Sequence, residues 1–246
     1  MAEGAVPVHP SALPHRVRRI VTSRSGGVSK PPFDSFNLGG KLDDPSAIAA
    51  NRARLAAATG LPASRFVWMQ QVHGTTVVTV DQQGRLPGAD GVVTTRPDLA
   101  LAVLAADCVP VLAADPVAGV IGAAHAGRRG AADGIVTELL TAMRAAGAQP
   151  GRLEVLLGPA ICGRCYQVPA GMQSDVEQLL PGSACETSDG TTGLDLRAGI
   201  AGQLARAGVV AVAVDPRCTC EDPELFSHRR SARTGRQAAV IWMPAR

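Results

Sequence analysis

The run VPVLAADPVAGVIGAAHAGRRG, Val109 to Gly130, decides how this chain folds. Two short apolar stretches, VPVLAA (109–114) and GVIGAA (119–124), meet at the turn DPVAG and read as β-strands by length and residue type. A connection this short joins antiparallel neighbours. Immediately after His125 the pattern changes to RGAADGIVTELLTAMRAAG (129–147), whose apolar spacing is helical and which stops at Gly147.

Working outward, further β-type runs occur at RRIVTS (18–23), FVWMQ (66–70), TTVVTV (75–80), GVVTT (91–95), LAVLAA (101–106), LEVLLG (153–158), VVAVAV (209–214) and AAVIWM (238–243). Helical patterns appear in PSAIAANRARLAAATG (45–60), capped by Asp43 or Asp44 with Pro45 in the first turn, in MQSDVEQLL (172–180) and in LDLRAGIAGQLARAG (194–208). Turns such as DQQG between the strands of 66–124 favour antiparallel pairing throughout that region. The expected class is α+β: one domain over residues 17–246, with mixed, largely antiparallel sheets and flanking helices, preceded by a flexible tail over residues 1–16.

Bulk properties exclude several classes of function. The 246 residues carry a net charge of +3 with no lysine-rich block, and 3% aromatic residues leave few stacking platforms, so nucleic acid is not an expected partner. No apolar run reaches the length of a signal peptide or a membrane span, which points to the cytoplasm and away from membranes. In a reducing compartment the six cysteines are expected as thiols or metal ligands.

His125 ends a strand, Cys108 sits at a strand break before Pro110, and His73 lies in QQVHGTT, where Gly74 interrupts two β runs. Side chains at strand ends converge on one rim, and a His–Cys–His set leaves the fourth tetrahedral position of a zinc ion open, as catalytic sites do. The same residues admit two other readings. His73 and His125 can be core histidines with Cys108 a small buried hydrophobe. Alternatively, Cys108 is a thiolate nucleophile with a histidine as base and Asp90 or Asp107 as orienter, giving a metal-free hydrolase. Asp107 qualifies for that role only if the strand breaks there. Arg128 and Arg129, at a helix start after His125, suit an anion such as phosphate. Arg24, at the entry to a glycine-rich loop, and Asn37, with an amide suited to a ribose or base edge, are further candidate substrate contacts or else loop-stabilising ones, and Gly26–Gly40 reads as a flap or a rigid loop. CGRC (162–165) admits a redox pair or half of a zinc site with Cys218 and Cys220. YQVPAG delays the helix a redox pair would precede, and CTC is tighter than usual zinc spacing.

Together TSRSGGVSKPPFDSFNLGG (22–40), DDPSAIAANRARL (43–55), QQVHG (70–74), ADGVVT (89–94), ADCVPVL (106–112), AHAGRRG (124–130), GPAICGRCYQV (158–168) and FSHRRSARTGRQAAVIW (226–242) resemble the laccase-domain, YfiH-like family. The resemblance implies that His73, Cys108 and His125 bind a catalytic metal, zinc or copper, and that Cys165 lines the metal pocket. It implies phosphorolysis of adenosine, inosine and methylthioadenosine to the free base and ribose 1-phosphate, with adenosine deamination as a second activity. Arg129 matches the family pattern, while Arg128 replaces a tryptophan, and Arg164 and Gln167 also depart from it. In HRRSARTGR (228–236), Arg230 or Arg236 is expected to form structural salt bridges. A four-copper oxidase needs around ten histidines, and this chain has five. A non-enzymatic metal-binding or docking protein is the third alternative. A monomer is favoured over an oligomer.

Overall fold

A computed structural model describes residues 16–40 and 42–245; the sequence reading of a tail falls almost wholly outside them. In chain order the elements are β1 (Arg18–Val21), α1 (Pro45–Thr59), β2 (Phe66–Gln70), β3 (Val77–Thr79), β4 (Gly84–Pro87), β5 (Gly91–Thr94), β6 (Ala100–Ala105), β7 (Val109–Asp115), β8 (Val120–Ala126), α2 (Arg128–Ala132), α3 (Ile135–Ala145), β9 (Glu154–Leu157), α4 (Ala170–Leu179), β10 (Ala184–Glu186), β11 (Thr192–Leu194), α5 (Leu196–Arg206), β12 (Ala211–Val214) and β13 (Gln237–Trp242).

One sheet has the order β1-β13-β6-β2-β4 and a second β12-β9-β7-β8-β5-β3, with β10-β11 a separate ribbon. The turn Asp115–Gly119 is an antiparallel hairpin, as its sequence predicts. Asp115 Oδ1 accepts the amides of Val117 and Ala118 at 3.0 and 2.9 Å, and Gly119 takes a φ of 67°. Elsewhere in 66–124 the expected antiparallel pairing is found only between β5 and β8, which are not consecutive. β2 runs parallel to both β4 and β6, and β3 runs parallel to β5. Consecutive strands are not paired there because the chain crosses between sheets: β3 and β4, joined by the DQQG turn, lie in different sheets, as do β6 and β7.

The two sheets face each other. Leu101, Val103, Ala239 and Ile241 of the first pack against Leu112, Ala114, Ile121 and Ala123 of the second. Alternate residues point outward and are covered as well: Ala100, Ala102, Ala238 and Val240 by α1 through Leu55 and Ala56, and Val111, Ala113, Val120 and Ala124 by α3 and α5. Four layers result, and every residue of β7 and β8 is buried, which is why these strands read as unbroken apolar runs.

Helix ends follow their sequence signals. Asp44, not Asp43, caps α1 by accepting the Ser46 amide at 2.8 Å, and Gly60 ends it at φ 73°. The expected single helix over 129–147 is divided, because Gly134 takes a φ of 98° between α2 and α3. Residues 26–40 are a pinned loop rather than a free flap. The fully buried Asn51 amide donates to the Ser35 and Asn37 carbonyls at 3.1 and 2.9 Å and accepts the Val28 amide at 2.9 Å. No helix of the described residues is long and apolar enough to cross a membrane.

Small residues in β8 let α3 approach closely. A Cβ built on Gly122 would lie 2.8 Å from Met143 Sδ and 3.0 Å from Leu139 Cδ1. Gly122→Val is therefore expected to cost about 1–3 kcal/mol through overpacking, read as a lower urea midpoint at unchanged m-value.

Candidate metal centre

The seam between the two sheets brings three chain segments together. His73 follows β2, Cys108 precedes β7, and His125 lies near the end of β8 on the face it shares with Ile121 and Ala123. Asp107 has a φ of 94° where the chain turns from one sheet to the other, and that break presents Cys108 at the rim. One ligand atom from each of His73, Cys108 and His125 lies within 4.8 Å of the others. Cys108 Sγ is 3.7 Å from His73 Nε2, and the two imidazoles meet edge to face with centroids 4.7 Å apart.

Asp90, fully buried at the start of β5, organises this arrangement. Its carboxylate accepts the amides of Val72, His73 and Gly74 at 3.0, 3.0 and 2.8 Å, and Oδ1 lies 2.8 Å from His125 Nδ1. Burial alone would raise this carboxyl; the bonds from His125 and the amides outweigh it and hold the pKa below the usual range. With Nδ1 engaged, His125 turns Nε2 toward Cys108 and His73. His125 is pushed up to about 9: burial works against the imidazolium, but Asp90 and Cys108 prevail. Cys108 is brought down to about 6, burial being overcome by hydrogen bonds from His125 and His73.

Glycines of the sequence motifs are explained by close approach. A Cβ on Gly127 would lie 2.5 Å from His73 Cδ2 and 3.1 Å from Cys108 Sγ, and one on Gly130 would lie 2.8 Å from the Gly74 carbonyl. The motifs QVHG and AHAGRRG are thus two sides of one packed contact.

The donor set fits a metal ion. Around a tetrahedral zinc, a thiolate sulfur and an imidazole nitrogen stand roughly 3.5 Å apart, given bond lengths of about 2.3 and 2.0–2.1 Å. The 3.7 Å between Cys108 and His73 is close to that, and His73 is exposed, so the fourth direction opens to the cleft.

That cleft, of about 1070 Å³, is lined by Arg52, Arg85, Arg128, Arg129, Arg229 and Arg236 against two carboxylates, Asp43 and Asp107. Both acids are engaged: Asp43 accepts from Ser29 and Asn37, and Asp107 from Thr219 Oγ1 at 2.7 Å and the Arg229 amide at 2.6 Å. Arg52 lies 3.9 Å over the Trp68 ring, and its pKa falls to about 10 through burial and the nearby Arg85. Tyr166 forms part of the wall, with Arg229 5.1 Å over its ring.

The structure places other expected site residues differently. Arg24 does not line the cleft; its guanidinium pairs with Asp34 at 3.1 Å and lies over Phe226. Asn37 is buried, its amide donating to Asp43 at 2.8 Å and accepting from Arg236 and Gly39. Cys165 lies outside the cleft lining, grouped with Cys162, Cys218 and Glu221. Arg129 lines the cleft, but α2 is a five-residue helix, too short for a substantial dipole. Arg128 approaches Tyr166, while Arg164 pairs with Glu221 at 3.1 Å. Arg230 and Arg236 brace the C-terminal loop through backbone carbonyls rather than salt bridges. The sequence named Asp90 only as an alternative orienter and missed Tyr166. Asp90 lies at the ADG turn, and Tyr166 is the chain's one tyrosine.

Residues 18–244 match the family described as multi-copper polyphenol oxidoreductase laccase. A protein named purine nucleoside phosphorylase from Mycobacterium tuberculosis is 59% identical over 231 residues, covering 93% of this chain and 92% of its own length. A protein of the same name from Corynebacterium glutamicum is 51% identical over 233 residues, covering 93% and 95%. Among solved structures, YlmD from Geobacillus stearothermophilus superposes with a TM-score of 0.88 at 36% identity, over 93% of this chain and 92% of its own. With its strand order, its seam of two histidines and a cysteine and these matches, the chain belongs to the multi-copper polyphenol oxidoreductase laccase family.

Proposed function

We propose that the chain is a metal-dependent purine nucleoside phosphorylase that converts adenosine, inosine and methylthioadenosine, with phosphate, to the free base and ribose 1-phosphate, with adenosine deamination as a second activity. The observation that carries this reading is the convergence of His73, Cys108 and His125 on the floor of an arginine-lined cleft. The relatives' names support the reaction class. A zinc or copper ion held by those three residues supplies Lewis acidity facing the cleft.

The protein's own groups divide the remaining tasks. Asp90 holds the His125 ring through Nδ1. The arginines, Arg129 among them, give phosphate, a dianion, a site rich in fork-shaped donors. Held there, phosphate is positioned to attack the ribose C1′ as the base departs. The cationic lining also offsets the charge that a departing purine develops. A four-copper oxidase is disfavoured. Of the five histidines, three lie in the described residues, and His228 Nδ1 is taken by the Ala232 carbonyl at 3.0 Å.

Incubating the purified protein with adenosine and phosphate is expected to yield adenine and ribose 1-phosphate in equal amounts, with the product lost in His73→Ala. Arg129→Ala is expected to raise the phosphate KM about 10- to 100-fold, the worth of one charge-assisted contact. Product formation independent of phosphate contradicts the reading, and an unchanged KM removes Arg129 from it.

A second reading has a specific basis: Cys108, His125 and Asp90 lie in the row that a thiol nucleophile, its base and an orienting carboxylate require. With the Cys108 pKa lowered to about 6, the reactive thiolate persists below neutrality and is lost only as pH falls through that value. Iodoacetamide should therefore modify Cys108 of metal-free protein with a midpoint near pH 6. Zinc sufficient to fill the His73–Cys108–His125 centre is expected to block the reaction; modification unaffected by zinc favours the nucleophile.

A further inference from the structure

We infer that Cys162, Cys165, Cys218 and Glu221 form a second metal site, a closed structural zinc site that fastens together the two loops walling the cleft. The inference stands independently of the reaction proposed above, because none of these four residues belongs to the His73–Cys108–His125 centre.

The donors come as two pairs of identical spacing. Cys162 and Cys165 are three residues apart, and so are Cys218 and Glu221, giving C-x2-C with C-x2-E across 56 residues. That repeats the paired-turn layout of zinc ribbons, with one thiolate exchanged for a carboxylate. Along the sequence the neighbour of Cys218 is Cys220, a spacing too tight for zinc; in space its partner is Glu221. One ligand atom from each of the four lies within 4.8 Å of the others. Cys165 Sγ is 3.5 Å from Glu221 Oε1. The Cys162 amide donates to the buried Cys218 Sγ at 3.3 Å, which fixes the two cysteine turns against each other.

Charge and donor count agree with a divalent ion. Three thiolates and a carboxylate carry four negative charges, and a lone disulfide among three thiols would leave one sulfur and the carboxylate unused. A zinc ion displaces the three thiol protons to solvent and leaves a net charge of −2. Arg164, 3.1 Å from Glu221 Oε1, offsets part of it. This also explains the arginine at 164. Four protein donors close the coordination sphere, as in structural sites, whereas the first centre offers three.

The location gives the site its consequence. The loop after β9 carries Tyr166, and the loop before β13 carries Arg229, both of which line the cleft. Protein contacts already hold the loops side by side and so preset the four donors: the Thr219 amide donates to the Ala160 carbonyl at 3.1 Å, and Arg229 donates to the Cys165 and Gln167 carbonyls at 3.4 and 3.2 Å. A metal at their crossing fixes the wall relative to the floor.

Metal content decides the matter. In the full-length His73→Ala/Cys108→Ser/His125→Ala protein, one equivalent of zinc is expected to remain by mass spectrometry of the elements. Its cobalt-loaded form should show thiolate-to-cobalt charge transfer in the near ultraviolet and the strong visible bands of a tetrahedral ion. Adding Cys218→Ser should abolish both. Because Cys218 is buried and its replacement can unfold the loop, Glu221→Gln at the exposed ligand is the second variant. It should weaken zinc binding at least tenfold while circular dichroism stays unchanged. Absence of stoichiometric metal in the first variant, a disulfide among the three cysteines in protein purified under reducing conditions, or unaltered affinity in Glu221→Gln would each overturn the inference.

Discussion

Everything in the first centre depends on one buried carboxylate. Asp90 accepts three consecutive amides of the QVHG loop and the Nδ1 proton of His125, so a single side chain sets both the backbone path at His73 and the ring orientation of His125. The loop it shapes holds His73 at a φ of 62°, a conformation unusual for a non-glycine residue. Without the carboxylate, three amides of this part-buried loop would lose the acceptor that fixes its path. The anionic form is thereby fixed, and an anion behind the imidazole makes the opposite nitrogen a better ligand.

The architecture explains why that carboxylate sits where it does. Two sheets with both faces covered need strands of small and branched apolar residues, and the Ala/Gly-rich β7 and β8 supply them. Because consecutive strands pass from sheet to sheet, their crossing points fall along the seam. His73 and Cys108 both occupy such crossings, immediately beyond β2 and before β7. The cleft arises where the loops from these crossings meet the arginines of α1, α2 and the C-terminal loop. Positive charge surrounds a floor of soft and borderline ligands, a combination suited to phosphate beside a metal.

Much of this was legible in the sequence, and the remainder was not for identifiable reasons. Short apolar runs located ten of the strands, a signature that burial on both faces leaves in β5 to β8 and β13, and Asp44, Gly60 and Gly147 marked helix ends. Pairing was misjudged between residues 66 and 115, because turn length distinguishes a hairpin from a sheet crossing only when both strands belong to one sheet. β4, β10 and β11 are short and partly exposed and left no apolar run. His73, Cys108 and His125 were recognisable from their motifs. Arg24 and Asn37 carry suitable chemistry but are consumed by Asp34 and Asp43, partners that only the tertiary structure reveals. Glu221 was invisible beside Cys218 and Cys220, for a carboxylate draws attention as a ligand only once the neighbouring thiols are located in space.

Asp90 fixes the proton of His125 on Nδ1 and leaves Nε2 directed at Cys108 and His73, open to a metal. Long-range proton–nitrogen correlation spectra of the zinc-loaded, nitrogen-15-labelled protein test it most directly. A His125 ring with Nδ1 bearing a proton and Nε2 bearing none is the predicted result; a proton on Nε2 would contradict the account.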